Sequence, residues 1–285
     1  MTLAERRRAM VRSIRLDRAL EGLPLFRLSD SAEEGAIVWD GPEGARWRVL
    51  PAPGDRLPGT FDQDVYVELM HRWHDAGSPG DGVVHFTLHD FLRSMGRRAD
   101  GRTYELLRSA LTRLERTGLE SQQAYYEAPG AALMDGRFTI LTSIVIDRRR
   151  AGDRDQISLF PALPAGEPGD ARVTISPTVR QNITAGHFVT LNVQQYRALP
   201  SPVARRLYRL LELAREQGET QWRLPLDKLA ALLPLTQRYP SHLTRVLQPA
   251  HEMLLTAGLV KQAGIRQVKR VWLAEYSINP RVAPG

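Results

Sequence analysis

The chain has 285 residues, enough for one large domain or two ordinary ones, and 42% are hydrophobic, which excludes wholesale disorder. It contains no cysteine, so disulfides, thiolate nucleophiles, iron–sulfur clusters and sulfur-ligated zinc are excluded. The net charge of +7 is uneven: residues 171–285 hold 16 Lys and Arg against 6 Asp and Glu, a net of +10, whereas residues 1–170 hold 23 against 26, a net of −3.

Such asymmetry suits one part of the chain to a polyanion. Only three of the 39 basic residues are lysine. The arginine fork matches phosphate and guanine, although codon preference in a GC-rich genome explains the same ratio. No apolar run approaches the length of a membrane span, and the charged start MTLAERRRAMVRSIRLDRAL has no apolar core of a secretory signal. A cytoplasmic protein is expected.

Residues 1–20 read as a basic arm, either a short amphipathic helix or a frayed tail, with Arg6, Arg7, Arg8, Arg12, Arg15 and Arg18 turned to phosphate or simply to solvent. Residues 35–50 read as a hairpin turning at DGPEG. Residues 61–74 have helical spacing at Val65, Leu69 and Trp73. A short strand follows at 83–88, then a short helix at 89–96 ended by Gly96. The stripe Tyr104, Leu107, Leu111 and Leu114 predicts a helix over 103–118 with Gly118 as its stop. Residues 119–127 and 137–150 read as the two strands of a hairpin. The Pro- and Gly-rich stretch 151–170 reads as a linker, or as a long loop of the first unit.

The same order then returns. A helix over 201–218 has Ser201 as cap, Pro202 in its first turn and Gly218 as its stop. An extended piece at 221–224, a short helix at 225–235, a long helix at 241–258 and strands at 259–264 and 266–278 follow. Leu114-x3-Gly118-Leu119 overlays Leu254-x3-Gly258-Leu259, and Asp90 and Leu92 overlay Asp227 and Leu229. This predicts an internal duplication. The fold class expected is α+β: two tandem winged-helix domains, at 21–150 and 171–285, each a helix-turn-helix with a β-hairpin wing.

No catalytic constellation is present. The chain lacks a P-loop, a dinucleotide fingerprint, H-E-x-x-H and G-x-S-x-G. His71 with His74 and His85 with His89 have helical spacing but no carboxylate at ligand spacing. No enzyme activity, metal or cofactor is expected.

In a helix-turn-helix the second helix lies in the major groove. In the C-terminal unit this places Ser241, His242, Thr244, Arg245 and Gln248 on the DNA side, with Arg245 suited to guanine and Gln248 to adenine. The preceding turn adds Gln237 and Arg238, and the wing adds Lys261, Gln262, Arg266, Gln267, Lys269 and Arg270, suited to phosphates or a minor-groove edge. The alternative is a solvated helix face. The N-terminal counterpart holds Arg97, Arg98, Arg102, Arg108, Thr112 and Arg113, but Glu105, Glu115 and Glu120 lie among them, so this unit either grips DNA less tightly or has another job, such as pairing with a second copy. The tract 148–150 is either a phosphate contact or a plain strand end.

The stretches LPGTFDQDVYVELMHRW (57–73) and RALPSPVARRLYRLLEL (197–213) resemble the replication initiator protein A type of plasmid and secondary-replicon initiators. The resemblance implies double-stranded DNA as partner, recognition of repeated origin sites (iterons), local melting, and recruitment of a host initiator and helicase. It further implies a homodimer through the first winged helix and a nucleoid- or plasmid-associated location. A winged-helix transcriptional regulator is the competing reading. Pro249 inside the second long helix is expected to bend it or remove a hydrogen bond.

Overall fold

The computed structural model describes residues 13–28, 35–147, 170–237 and 239–280. The arginine tract 148–150, Arg238 and the arginines before residue 13 lie outside the described residues. The described end of the N-terminal arm, residues 13–20, is a strand followed by a short helical turn rather than an amphipathic helix or a frayed tail. Ser13–Asp17 forms β1, antiparallel to β9 (Phe188–Asn192), and Arg18–Glu21 forms the single-turn helix α1. Alternating Ile14 and Leu16, both buried, explain the strand. The Asp17 carboxylate accepts from the Ala19 amide at 3.0 Å and caps α1.

The hairpin at 35–50 forms as expected, as β2 (Ile37–Asp40) and β3 (Arg46–Leu50). Next come α2 (Thr60–Asp75), β4 (Val83–Thr87), α3 (Leu88–Ser94) and α4 (Gly101–Arg116). Asp100 caps α4 by accepting from the Thr103 amide at 3.0 Å, and Leu107, Ala110, Leu111 and Leu114 form its buried stripe. Gly118 is not the stop: Thr117 caps the helix, and Gly118 already opens β5 (Gly118–Glu127) opposite Leu50.

The expected first-unit hairpin of 119–127 with 137–150 is divided. β5 pairs with β6 (Ala132–Phe138), and both join β2 and β3 in a sheet ordered β2-β3-β5-β6. Leu141–Ile146 is a separate strand, β7, and it pairs with β8 (Asp170–Ile175). The boundary expected at 170/171 therefore falls inside β8, a strand of the first unit. Ala171, Val173 and Ile175 are the buried face that seats β8 between β4 and β7. The Pro- and Gly-rich composition just before it concealed that short alternation.

After β8 come α5 (Pro177–Thr184), β9, α6 (Val193–Ala198) and α7 (Pro202–Glu216), then β10 (Gln221–Pro225), α8 (Leu226–Leu232), α9 (Pro240–Thr256), β11 (Val260–Val268) and β12 (Val271–Ile278). The Ser201 cap, Pro202 in the first turn and left-handed Gly218 bound α7 as expected. The long helix begins one residue early, at Pro240, with Tyr239 as cap, and it continues unbroken across the exposed Pro249.

The two units share one plan. Helix, edge strand, short helix and long helix recur as α2-β4-α3-α4 and α7-β10-α8-α9, and the three-stranded sheets are ordered β4-β8-β7 and β10-β12-β11. The residues matched in the repeat take equivalent places: Leu92 and Leu229, Leu114 and Leu254, Leu119 and Leu259 are all buried. The insertion of β5 and β6 after α4 distinguishes the first unit.

The junction of the units is polar and buried. Arg209 of α7 donates to both Glu21 oxygens at 2.6 and 2.7 Å and to the Gln63 amide oxygen at 3.3 Å. Asp64 of α2 accepts from the Tyr196 hydroxyl at 3.0 Å, and Glu68 accepts from Arg197. Burial opposes the charge of Arg209, but Glu21 and the nearby tyrosines more than offset it. Burial and the adjacent Arg209 pull Arg206 down to about 9.

Candidate nucleic-acid interface

The long helix α9 exposes a continuous face because its apolar residues recur at helical spacing on the other side. Leu243, Leu247, Ala250 and Leu254 are buried, and His251 joins them. Its imidazole meets the Tyr276 hydroxyl of β12 at 2.9 Å, and burial lowers it to about 4, so the ring is neutral near pH 7. That contact ties α9 to the hairpin β11–β12 behind it.

On the outer face Ser241, His242, Arg245, Gln248 and Pro249 are exposed. Arg245 is exposed and has no ion-pair partner among the described residues. Gln248 donates to Glu252 at 2.9 Å. Thr244 is half-buried and donates to the Pro240 carbonyl at 2.8 Å, which commits its hydroxyl to the helix. His242 stands edge-on to Tyr239, with ring centres 5.8 Å apart. Pro249 cannot donate the helical hydrogen bond to the Arg245 carbonyl, so this carbonyl too is left on the exposed side.

The hairpin adds cations at its far end. Lys261 is exposed on β11, and Lys269 and Arg270 form the turn. Lys269 holds φ 56°, a left-handed conformation that favours glycine or asparagine. Arg266 is less available: it donates to Glu275 at 2.8 Å, and Arg223 meets the same carboxylate at 3.2 Å. Hydrogen bonding from Arg266 holds Glu275 below the usual carboxylate range.

The matching helix of the first unit is built differently. Arg108 pairs with Glu105 at 2.5 Å, Arg113 donates to Asp62 at 2.9 and 3.2 Å, and Arg116 meets Asp55 at 3.0 Å. Arg97 meets Asp64 at 3.2 Å. Thr112 is half-buried, while Arg98 and Arg102 are exposed. Arg97, Arg108 and Arg113, expected here as DNA contacts, thus meet the protein's own carboxylates while Arg98 and Arg102 do not; among the described residues Arg245, Lys269 and Arg270 have no such partner.

Two exposed aromatic side chains of this unit are not singled out by the sequence. Tyr239 is 70% exposed where α9 begins, and Trp272 is 36% exposed near the hairpin turn. The signal for Tyr239 was the Pro240 that follows it, which marks a helix start. Trp272 is concealed in an otherwise regular alternation. Among the described residues, no group of three or more His, Asp and Glu converges to hold a metal, and no helix is long and apolar enough to cross a membrane.

The fold has known counterparts. The chain is similar to a crystal structure of domains 2 and 3 of RctB, with a TM-score of 0.54 and 12% identity over 92% of this chain and 98% of that one. It is also similar to the Pi initiator protein in complex with iteron DNA, with a TM-score of 0.53 and 11% identity over 95% and 98%. No curated protein matches the chain. Residues 15–233, covering both units up to α8, match Replication initiator protein A, and the chain belongs to that family.

Proposed function

We propose that this protein is a sequence-specific, double-stranded DNA-binding replication initiator whose two units act as tandem winged helices. The observation that carries the reading is the exposed face of α9, where Arg245 has no ion-pair partner among the described residues and shares the face with His242 and Gln248, followed by a hairpin whose turn is Lys269 and Arg270. In this reading α9 enters the major groove, and β11–β12 is the wing that follows the backbone. Membership of the initiator family and likeness to an initiator held on iteron DNA support it.

The first unit has another share of the work. With Arg108, Arg113 and Arg116 paired to carboxylates, it adds affinity through Arg98 and Arg102 rather than base reading. It is also the unit that forms a homodimer. Binding to repeated origin sites then promotes local melting and brings in a host initiator and helicase, in the cytoplasm on the plasmid or nucleoid. The protein itself performs no catalysis.

Hydroxyl-radical footprinting of the full chain on DNA flanking its own gene tests the reading. Protection repeated in direct, same-orientation copies supports an initiator. A single palindromic footprint contradicts it and favours a transcriptional regulator.

A further inference from the structure

The β11–β12 hairpin outruns the core that it helps to build. Side chains alternate along β12, so Ile278, Tyr276 and Ala274 share one face, all buried, and that face carries α9 through the Tyr276–His251 contact. The next residue in this row is Trp272. It lies beyond the core, opposite Gln267 on β11 and two residues from the Lys269–Arg270 turn. The other four tryptophans are accounted for: Trp47 and Trp73 are buried, and Trp39 and Trp222 pack against the core.

The surroundings of Trp272 point to one kind of partner. The turn beside it holds two cations, Lys269 and Arg270, while Arg266 is paired to Glu275 on the other face of the hairpin. Lys269 is kept at φ 56° where a glycine would be unstrained, so a positive charge is held at the turn against the local backbone preference. An apolar ring beside a cationic turn, on the same side of the hairpin as α9, complements a polyanion with apolar sugars rather than a protein surface.

We propose that Trp272 is a further DNA-contacting residue, whose indole packs on deoxyribose at the minor-groove edge beside the site entered by α9. The flat ring covers apolar sugar, and its N–H donates to a phosphate or groove acceptor. Gln267 lies opposite to bond the same edge. This rests on the proposed DNA-binding function and assigns a specific contact within it.

The probe is a duplex of about 30 base pairs, three helical turns, selected from a random pool by the full chain. Equilibrium titrations across a salt series compare the wild type with Trp272→Ala, Trp272→Phe and Lys269→Ala. Trp272→Ala is expected to weaken binding about tenfold with the salt slope unchanged, because an apolar contact releases no counterions. Trp272→Phe keeps most of the affinity, and Lys269→Ala lowers the slope by about 1. A second readout needs no alanine variant: the tryptophan emission lost in Trp272→Phe is shielded from acrylamide when the wild type binds the duplex. Binding by Trp272→Ala within about twofold of wild type, a changed slope, or emission that stays open to acrylamide overturns the assignment. Failure of the wild type to bind any duplex in a salt-sensitive way instead overturns the proposed function.

Discussion

Glu21 and Arg209, 188 positions apart, form a two-pronged ion pair at 2.6 and 2.7 Å with both side chains shut away from water. The pair joins the N-terminal turn α1 to the first helix of the second unit. Taking two charges out of water is unfavourable, so the pair need not add net stability, but removing one member strands the other.

Glu21→Gln is therefore expected to destabilise the protein by about 3–5 kcal/mol, because Arg206 and Arg209 lose their shared carboxylate. Urea unfolding followed by circular dichroism measures it. Glu105→Gln, which breaks an exposed pair on α4, is expected to change the midpoint little. Equal effects would show that the junction is no more demanding than the surface.

Asp17 gives a pH dependence of definite sign. Burial raises its carboxyl from the ordinary 3.8 to about 7, although Tyr125, Asn182 and the Ala19 amide all donate to it. The folded state thus holds the proton more tightly than the unfolded chain. The resulting stability is fully present below about pH 4 and is lost as pH rises through 7, with a slope approaching about 1.4 kcal/mol per pH unit. His251, lowered by burial, acts in the opposite sense below its ordinary 6.5. The difference between wild type and Asp17→Asn isolates the carboxyl. In the variant the Tyr125 hydroxyl turns to the Thr178 carbonyl, 3.4 Å away. The variant is expected to gain on the wild type as pH rises from 4 to 8. A difference that is flat with pH would contradict the assignment.

The long helices, both repeated core stripes and the cap Ser201 follow from local rules, whereas Asp100, the cap of a helix that starts two residues before the expected position, lies in a stretch that reads as a turn. Gly118 misled because glycine after a helix reads as a stop, whereas here it begins a strand against Leu50. β8 escaped notice because only six residues, DARVTI, follow a proline-rich stretch. At the site, the outward face of α9 was readable from the inward Leu243 and Leu247. The pairing of Arg108 and Arg113 was only partly readable: Glu105 is three residues from Arg108, but Asp62 is 51 residues from Arg113 and arrives by tertiary packing.

Pro249→Ala restores a helical donor toward the Arg245 carbonyl and removes a ring from the middle of α9. It is expected to raise stability by roughly 1–3 kcal/mol, since an interior proline costs a helix about 3 and stiffens the unfolded chain in partial return. Thermal melting of the two proteins checks this. An unchanged or lower midpoint would mean that the helix is adapted to the proline.

The two long helices are expected to differ in what their arginines do. Arg108→Ala on α4 breaks a contact internal to the protein and should leave DNA affinity within about threefold of wild type. Arg245→Ala on α9 removes a fork with no ion-pair partner among the described residues and should weaken binding by about 1–3 kcal/mol. Gel-shift titrations of the full chain compare them. A larger loss at Arg108 would move the principal contact to the first unit.

The most direct test of the account is competition binding of wild type and Arg245→Ala against every single-base variant of the selected duplex. If α9 lies in the major groove with Arg245 on a base edge, the variant protein loses discrimination at one base pair and keeps it elsewhere. Equal loss of affinity for every duplex would make Arg245 a phosphate contact, and the placement of α9 in the groove would be wrong.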